Sequence, residues 1–476
     1  MKMKQIAALF LALMLALSMA ACTSSQPSSS TASAEPTATP AASQAAQESN
    51  KAEEVDVSTL EAWGAHIKSL YEGQEINLLV GSHPSIDAML KYYSEFETLT
   101  GIKVNFRIIT DGTLKNTALI EGSGKAGNYD IFAVDAASIP EFYGKQIIIP
   151  IDDYISDPIK TPEWFDYNDI LPAYSKGIAT SQGVTVGIPI AGETRYLGYR
   201  TDLFEKYDKQ PPKTMDEFLE LAQFFNGLEP GLYGVSMRAA SGRQCGSGFM
   251  SVAYAFTDSA LVNPQTFEPE FNSSDTVEAV NFFVELLKNA PPDVTTYSHE
   301  EALSAFIQGN AAMWLDATAL TGRIIDPSTS TIADKVDFVP TPDGPKGQSA
   351  ALAGWNFTIP ADSKKADAAW AFIVYMTSRP LAKTYMENGG IPCRTSVYTD
   401  AELAAANFTY PKQLEALDHA LALIDRGVKY NPDFTYTNDM MAFAGTYISK
   451  AMIEELSVEE ACNQAQKEME EFLADK

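Results

Sequence analysis

Histidine, cysteine and paired carboxylates carry much of enzyme chemistry, and their spacing in this chain offers little of it. The four His (His66, His83, His299, His419) form no ligand-spaced pair, and no GxxxxGKS/T, GxSxG, HExxH or EF-hand string occurs. The parts of a phosphate loop, a nucleophile elbow or a zinc site are therefore missing. Gly122-Ser123-Gly124-Lys125-Ala126-Gly127 does match GxGxxG, but a dinucleotide fingerprint follows a strand and opens a helix. The order here is the reverse, which predicts a helix-to-strand turn. No cofactor and no metal is expected. Carboxylates are plentiful, Asp+Glu 62 against Lys+Arg 34. A carboxylate pair about 5–9 Å apart hydrolyses glycosides, so a glycosidase stays open. The best-placed single carboxylate is Asp135, which ends the apolar run 129–135. Ligands of open α/β sheets lie just past the carboxyl ends of strands.

The elements that must position such groups show in the periodicity. Short apolar runs at 76–80 and 102–109 flank a helical pattern over 86–99 that Gly101 closes, the βαβ rhythm of an α/β layer. Capping boxes at Thr214-Met215-Asp216-Glu217, Ser298-His299-Glu300-Glu301 and Ser457-Val458-Glu459-Glu460 each predict a helix start. Beyond Pro380 the pattern is mostly helical, with segments near 411–426 and 434–455. Trp370 lies at core spacing in a helix over 367–376 and reads as packing. No solenoid repeat is present.

The chain has 476 residues, a net charge of −28, 45% hydrophobic residues, 24 Phe and 21 Tyr. It is long enough for two packed units and too apolar to be a disordered acidic polymer. So large an excess of carboxylates repels phosphate backbones, which excludes nucleic acid as a partner. Residues 1–21 read as an export signal, with Lys2 and Lys4 ahead of an apolar run. The run ends in Leu17-Ser18-Met19-Ala20-Ala21-Cys22, which resembles the bacterial lipobox and implies lipidation at Cys22. Residues 22–69 read as a disordered tether, Ser/Thr/Ala/Pro-rich through about 58. Cys245, Cys393 and Cys462 remain, an odd number without metal-ligand spacing, and read as buried thiols.

Several blocks, in order, carry a family resemblance. They are Gly187-Ile188-Pro189-Ile190, Tyr199-Arg200-Thr201-Asp202-Leu203-Phe204, Pro211-Pro212-Lys213-Thr214-Met215-Asp216, Ile307-Gln308-Gly309-Asn310-Ala311-Ala312-Met313-Trp314, Gly354-Trp355-Asn356-Phe357 and Ser363-Lys364-Lys365-Ala366-Asp367-Ala368-Ala369-Trp370. Together they resemble the family 1 extracellular solute-binding proteins of bacterial ABC importers; within that family, Met313-Trp314-Leu315-Asp316-Ala317-Thr318 and Ser363-Lys364-Lys365 most resemble the sugar and sugar-alcohol binders. The resemblance implies a two-lobed α/β, periplasmic-binding-protein-like fold with hinge strands, a ligand cleft and a helical C-terminal part. It implies an N-terminal lobe of 70–191 and 339–377 and a C-terminal lobe of 192–338 and 378–476.

A sugar or polyol needs aromatic faces for its C–H side and carboxylate, amide or guanidinium groups for its hydroxyls. Trp355 follows Gly354 in a block where the family often stacks an aromatic on the ligand. Asp316 and Trp314 lie where an apolar strand meets a helix; Asp316 could accept hydroxyl protons, and Trp314 is either site or core. Glu193 and Arg195 stand at the implied lobe crossing, where a structural ion pair is the other reading. Arg243 opens a Gly-lined loop, and Arg394 follows Ile391-Pro392-Cys393, where the family often places a cleft residue. His83 leaves the first strand beside Ser82 and Pro84. The implied function is a non-catalytic, monomeric receptor, lipid-anchored on the extracellular face of the cell membrane. It would capture a carbohydrate and deliver it to the permease subunits of an ABC transporter. A glycosidase and a surface adhesin are the alternatives.

Overall fold

The three apolar runs become the first strands of an eight-stranded sheet: β1 (Glu75–Gly81), β2 (Lys103–Ile109) and β3 (Ile131–Asp135). The structure is a computed structural model that describes residues 55–476. The signal segment 1–21, Cys22 and most of the tether lie outside the described residues. β1 pairs in parallel with β2 on one side and β3 on the other. The other strands of this sheet are β4 (Ile188–Arg200), β5 (Tyr233–Ser236), β6 (Ala311–Ala317), β7 (Val336–Pro340) and β8 (Leu352–Thr358). The strand order is β2-β1-β3-β8-β4-β6-β5, with β7 on β4.

β4 organises the rest. Its 13 residues span about 40 Å at roughly 3.3 Å per residue, enough to serve two sheets in turn. Residues 188–194 pair with β8, and residues 195–200 pair with β6 and β7. Ile188 and Ile190 belong to a core with β1, β3, Phe357 and the helix Ala366–Thr377, while Leu197 belongs to a second core with Phe249, Phe283 and Met441. Tyr196 closes a smaller third cluster with Phe306, Trp314 and Phe338. The strand is buried almost throughout because both faces are covered. The molecule is two-lobed, and β4 and β8 cross between the lobes.

The three capping boxes form as read, each with both reciprocal hydrogen bonds. The GxGxxG string ends the helix Asp111–Gly124 and turns through Lys125 and Gly127, both at positive φ, into β3. Cys245, Cys393 and Cys462 are buried free thiols. Two local expectations need correction. The helix over 86–99 is two helices, Pro84–Met89 and Tyr93–Thr100; Tyr92, at φ −137° and ψ −1°, breaks the run. The tether reading extends too far, because Leu60–Tyr71 is a helix capped by Thr59. Its Trp63 and Ile67 stand four apart on one helical face and enter the first core, Trp63 edge-on to Trp164 at 5.4 Å.

Past β5, the helix Arg243–Ala253 lies against Thr437–Met452 at backbone distance. A Cβ on Gly246 would stand 2.1 Å from the Met441 carbonyl oxygen, and one on Gly445 1.9 Å from that of Gly242. Backbone cannot swing aside, so Gly246→Ala is expected to cost about 1–3 kcal/mol in urea unfolding. Gly322→Ala, where a Cβ meets nothing within 4 Å, should leave stability unchanged or slightly higher.

Candidate ligand-binding site

A cavity of about 600 Å³ opens at the lobe crossing, and both cores contribute to its wall. Asp135, at the end of β3, lies opposite Trp355 of β8 in the antiparallel pairing. Its carboxylate accepts a 2.6 Å hydrogen bond from the Ser138 hydroxyl. Trp355 presents a half-buried ring at a register shift of β8 against β4. The preceding Gly354 has φ +152°, and a Cβ there would come 2.2 Å from the Ala191 carbonyl oxygen. Only glycine lets β8 approach β4 closely enough to turn this ring into the cavity.

β4 supplies Glu193 and Arg195, two residues apart and so on one face of the strand. Arg195 donates through Nη2 to Ser247 Oγ at 2.6 Å and through Nη1 to Ser251 Oγ and the Ser247 carbonyl. Below it Asp316 is fully buried on β6. It accepts from Arg238 Nε at 2.9 Å and from Arg238 Nη2, takes the Ala317 N–H at 2.7 Å, and has Arg195 Nε 3.6 Å away. Burial alone would raise its pKa, but the guanidiniums of Arg238 and Arg195 hold Asp316 below the usual carboxylate range. Glu193 is moved the other way: desolvation outweighs the attraction of Arg238 and Arg195, with Asp316 adding repulsion, and its pKa is raised. Among the described residues Glu193 has no hydrogen-bond or ion-pair partner, so its carboxylate is left to the cavity.

Of the residues chosen from the sequence, Trp355, Glu193, Asp135, Arg195 and Arg243 line this cavity. Four do not. Asp316 is the counter-charge beneath Arg195 and Arg238 rather than wall. Trp314 is wholly buried at the centre of β6, stacked on Phe306 at 6.0 Å, because both sheet neighbours and a helix cover it. Arg394 is buried and not part of the cavity's lining, donating to the carbonyls of Thr377 and Asp166 and pairing with Asp169 at 3.4 Å; it ties loops together. His83 caps the helix Pro84–Met89 by accepting the Ser85 N–H at 3.2 Å, and its ring stands behind Trp355, 5.8 Å between centroids. Desolvation lowers its pKa to about 4, against a small opposing pull from Asp87. Sequence reasoning missed Arg238, although it stands just past the end of β5, the same position that singled out Asp135. It also missed Gln244, Ser247, Tyr430 and Asn438, which helix packing brings to the wall and no local pattern marks.

Residues 81–383, well over half of the chain, match the model of the bacterial extracellular solute-binding protein. The chain belongs to that family. This solute-binding protein is 26% identical over 322 residues to the mannitol-binding protein of Pseudomonas aeruginosa, covering 66% of this chain and 72% of that protein. It is 27% identical over 372 residues to the erythritol/L-threitol-binding protein of Mycolicibacterium smegmatis, with 72% and 76% covered. Its fold matches a solute-binding protein of Agrobacterium vitis with bound D-mannitol at a TM-score of 0.69, 25% identity, and 85% and 99% coverage. One from Agrobacterium radiobacter in complex with ribitol matches at 0.72, with 22% identity and 84% and 99% coverage. Among the described residues of this solute-binding protein, no helix is long and apolar enough to cross a membrane.

The half-buried His83 sets a pH dependence. Its folded pKa, about 4, lies below the ordinary value of about 6.5, so the unfolded chain takes up the proton first. Stability is full above about pH 6.5 and falls as the pH drops towards 4. In His83→Asn the amide oxygen can still cap the helix, and the urea midpoint should fall less steeply over that window than in the wild type. Equal slopes would assign the acid sensitivity to other groups.

Proposed function

We propose that this protein is a non-catalytic receptor that captures a sugar or polyol between its lobes and hands it to the permease of an ABC importer. The observation that carries the reading is the half-buried face of Trp355 sharing one cavity with the unpartnered Glu193 carboxylate, the first on β8 and the second on β4. An apolar face beside a free hydrogen-bond acceptor is what a chain of C–H and O–H groups requires. Asp135, Arg195, Arg238 and Arg243 complete a polar rim. The relatives that bind mannitol and erythritol/L-threitol, and the solved structures holding D-mannitol and ribitol, support a polyhydroxylated solute. The receptor is taken to work as a monomer, as the resemblance implies. Processing at Cys22 would hold it by lipid outside the cytoplasm, with the segment before Thr59 as its tether.

Calorimetric titration tests this reading. A polyol or monosaccharide from a panel including D-mannitol, ribitol and erythritol should bind one to one, with Kd near micromolar, about −8 kcal/mol. Glu193→Gln removes a charge-assisted acceptor and should weaken that ligand by about 1.5–3 kcal/mol, or roughly ten- to a hundredfold. Trp355→Ala should weaken it at least about tenfold. Folded protein that binds no member of the panel would contradict the assignment.

A further inference from the structure

The cations around the cavity are not all matched by anions. Three of the chain's nine Arg, namely Arg195, Arg238 and Arg243, line it, so a protein of net charge −28 gathers guanidiniums where the solute goes. Arg195 and Arg238 are engaged with Asp316, Ser247 and Ser251. Lys115, on the same wall, pairs with Glu141 at 2.7 Å. Arg243 differs. Among the described residues its guanidinium meets no carboxylate, carbonyl or hydroxyl, and it is exposed where it lines the cavity. Hydrogen-bond character points the same way. Gln244 and Asn438 are half-buried and turn their side-chain oxygens into the protein, away from solvent. The atoms they leave to the cavity are the amide nitrogens, which donate and have no partner among the described residues. Gln244 follows Arg243 on the helix Arg243–Ala253, and Asn438 stands on Thr437–Met452, which packs against that helix at Gly246 and Gly445. These donors come from helices, whereas the carboxylates of the wall, Asp135 and Glu193, come from the strands β3 and β4.

We propose that the solute carries one carboxylate beside its hydroxyls, as an aldonate or uronate does, and that Arg243 with the amide nitrogens of Gln244 and Asn438 receives that carboxylate. The proposal rests on the receptor reading above and narrows its solute class. An ionised carboxylate only accepts, through two oxygens with about four lone-pair sites, so it can take a guanidinium and two amides together. Its planar edge matches the guanidinium fork in two parallel charge-assisted hydrogen bonds. The charges on the wall limit the anion to a single charge. One cation is unmatched among the described residues, and Asp135 and Glu193 share the cavity with it. A phosphate monoester, with about −1.5 to −2 charges near neutral pH, brings more negative charge than the wall balances. The remote carboxylates of the chain weigh little, because charges more than about 8 Å apart are largely screened at physiological salt. Arg243 is itself exposed, which keeps the preference moderate rather than absolute.

Calorimetric titration of the full-length protein tests this with pairs that differ at one terminal carbon: D-mannitol with D-mannonate, ribitol with D-ribonate, and D-galactose with D-galacturonate. The tightest binder is expected to be an acid, at least about fivefold tighter than its neutral partner at low salt. That ratio should shrink as KCl is raised, and D-mannitol 1-phosphate should bind more weakly than D-mannonate. In Arg243→Gln the ratio of acid to neutral affinity should fall towards one, while Arg243→Lys, which keeps the charge, should retain more of it. Neutral members that bind as tightly as their acids, or a ratio unmoved by Arg243→Gln, overturn the proposal and leave the receptor reading intact. A phosphate that binds more tightly than D-mannonate overturns it as well. Should Arg243→Gln unfold below the wild-type temperature, the wild-type ratio decides alone, and a ratio constant in salt overturns the proposal. Folded wild type that binds neither the neutral nor the acidic members removes the receptor reading too.

Discussion

A fully buried carboxylate, Asp316, sits where the strand Ile188–Arg200 passes from one sheet to the next, and the site is arranged around neutralising it. Tyr196 of β4 lies opposite Asp316 in the ladder, and Arg195 is the neighbouring residue towards the crossing. An isolated buried charge of this kind is prohibitive, and stripping one partner from a buried pair costs about 3–5 kcal/mol. Two guanidiniums, Arg195 and Arg238, are therefore fixed against it, each by several hydrogen bonds. They form a rigid, charged floor at the lobe crossing. Glu193, two residues back on the same strand, shares that field without a partner among the described residues, which leaves its carboxylate to the cavity.

The same strand relates the two halves of the binding surface. Its first half holds β8, and through Gly354 and the register shift at Trp355 it sets the aromatic face, with His83 behind. Its second half carries the sheet on which the helices Arg243–Ala253 and Thr437–Met452 are assembled. The aromatic face leans on the first core and those two helices pack in the second, and both reach the cavity. A ligand that touches both has more contacts when the lobes are drawn together, the physical basis of a receptor whose bound state differs in shape from its empty state.

Much of this was legible in the sequence because it is local. Apolar runs, capping boxes and the turn at Gly122 to Gly127 are decided by neighbours within a few residues, and the strands and helix starts followed from them. Asp135 was found by its place at a strand end, and Arg238 answers to the same rule. What failed depended on tertiary packing. Trp355 and Trp314 both lie in short apolar strands with a small or acidic residue close by, yet one stands at a register shift and the other is sealed between neighbouring strands and a helix. Arg243 and Arg394 both follow loop-like stretches, but one is exposed at the cavity and the other enters a buried pair with Asp169. Polar composition up to Ser58 hid the helix that follows, whose two anchors, Trp63 and Ile67, only become informative when read at helical spacing.

The central claim is that a polyhydroxylated solute joins the two lobes across the β4 crossing. Small-angle X-ray scattering of the protein with and without saturating D-mannitol tests it directly. The account predicts a smaller radius of gyration with the polyol, and no such change in Trp355→Ala at the same concentration. A radius unchanged in wild-type protein that calorimetry shows to be saturated would contradict it.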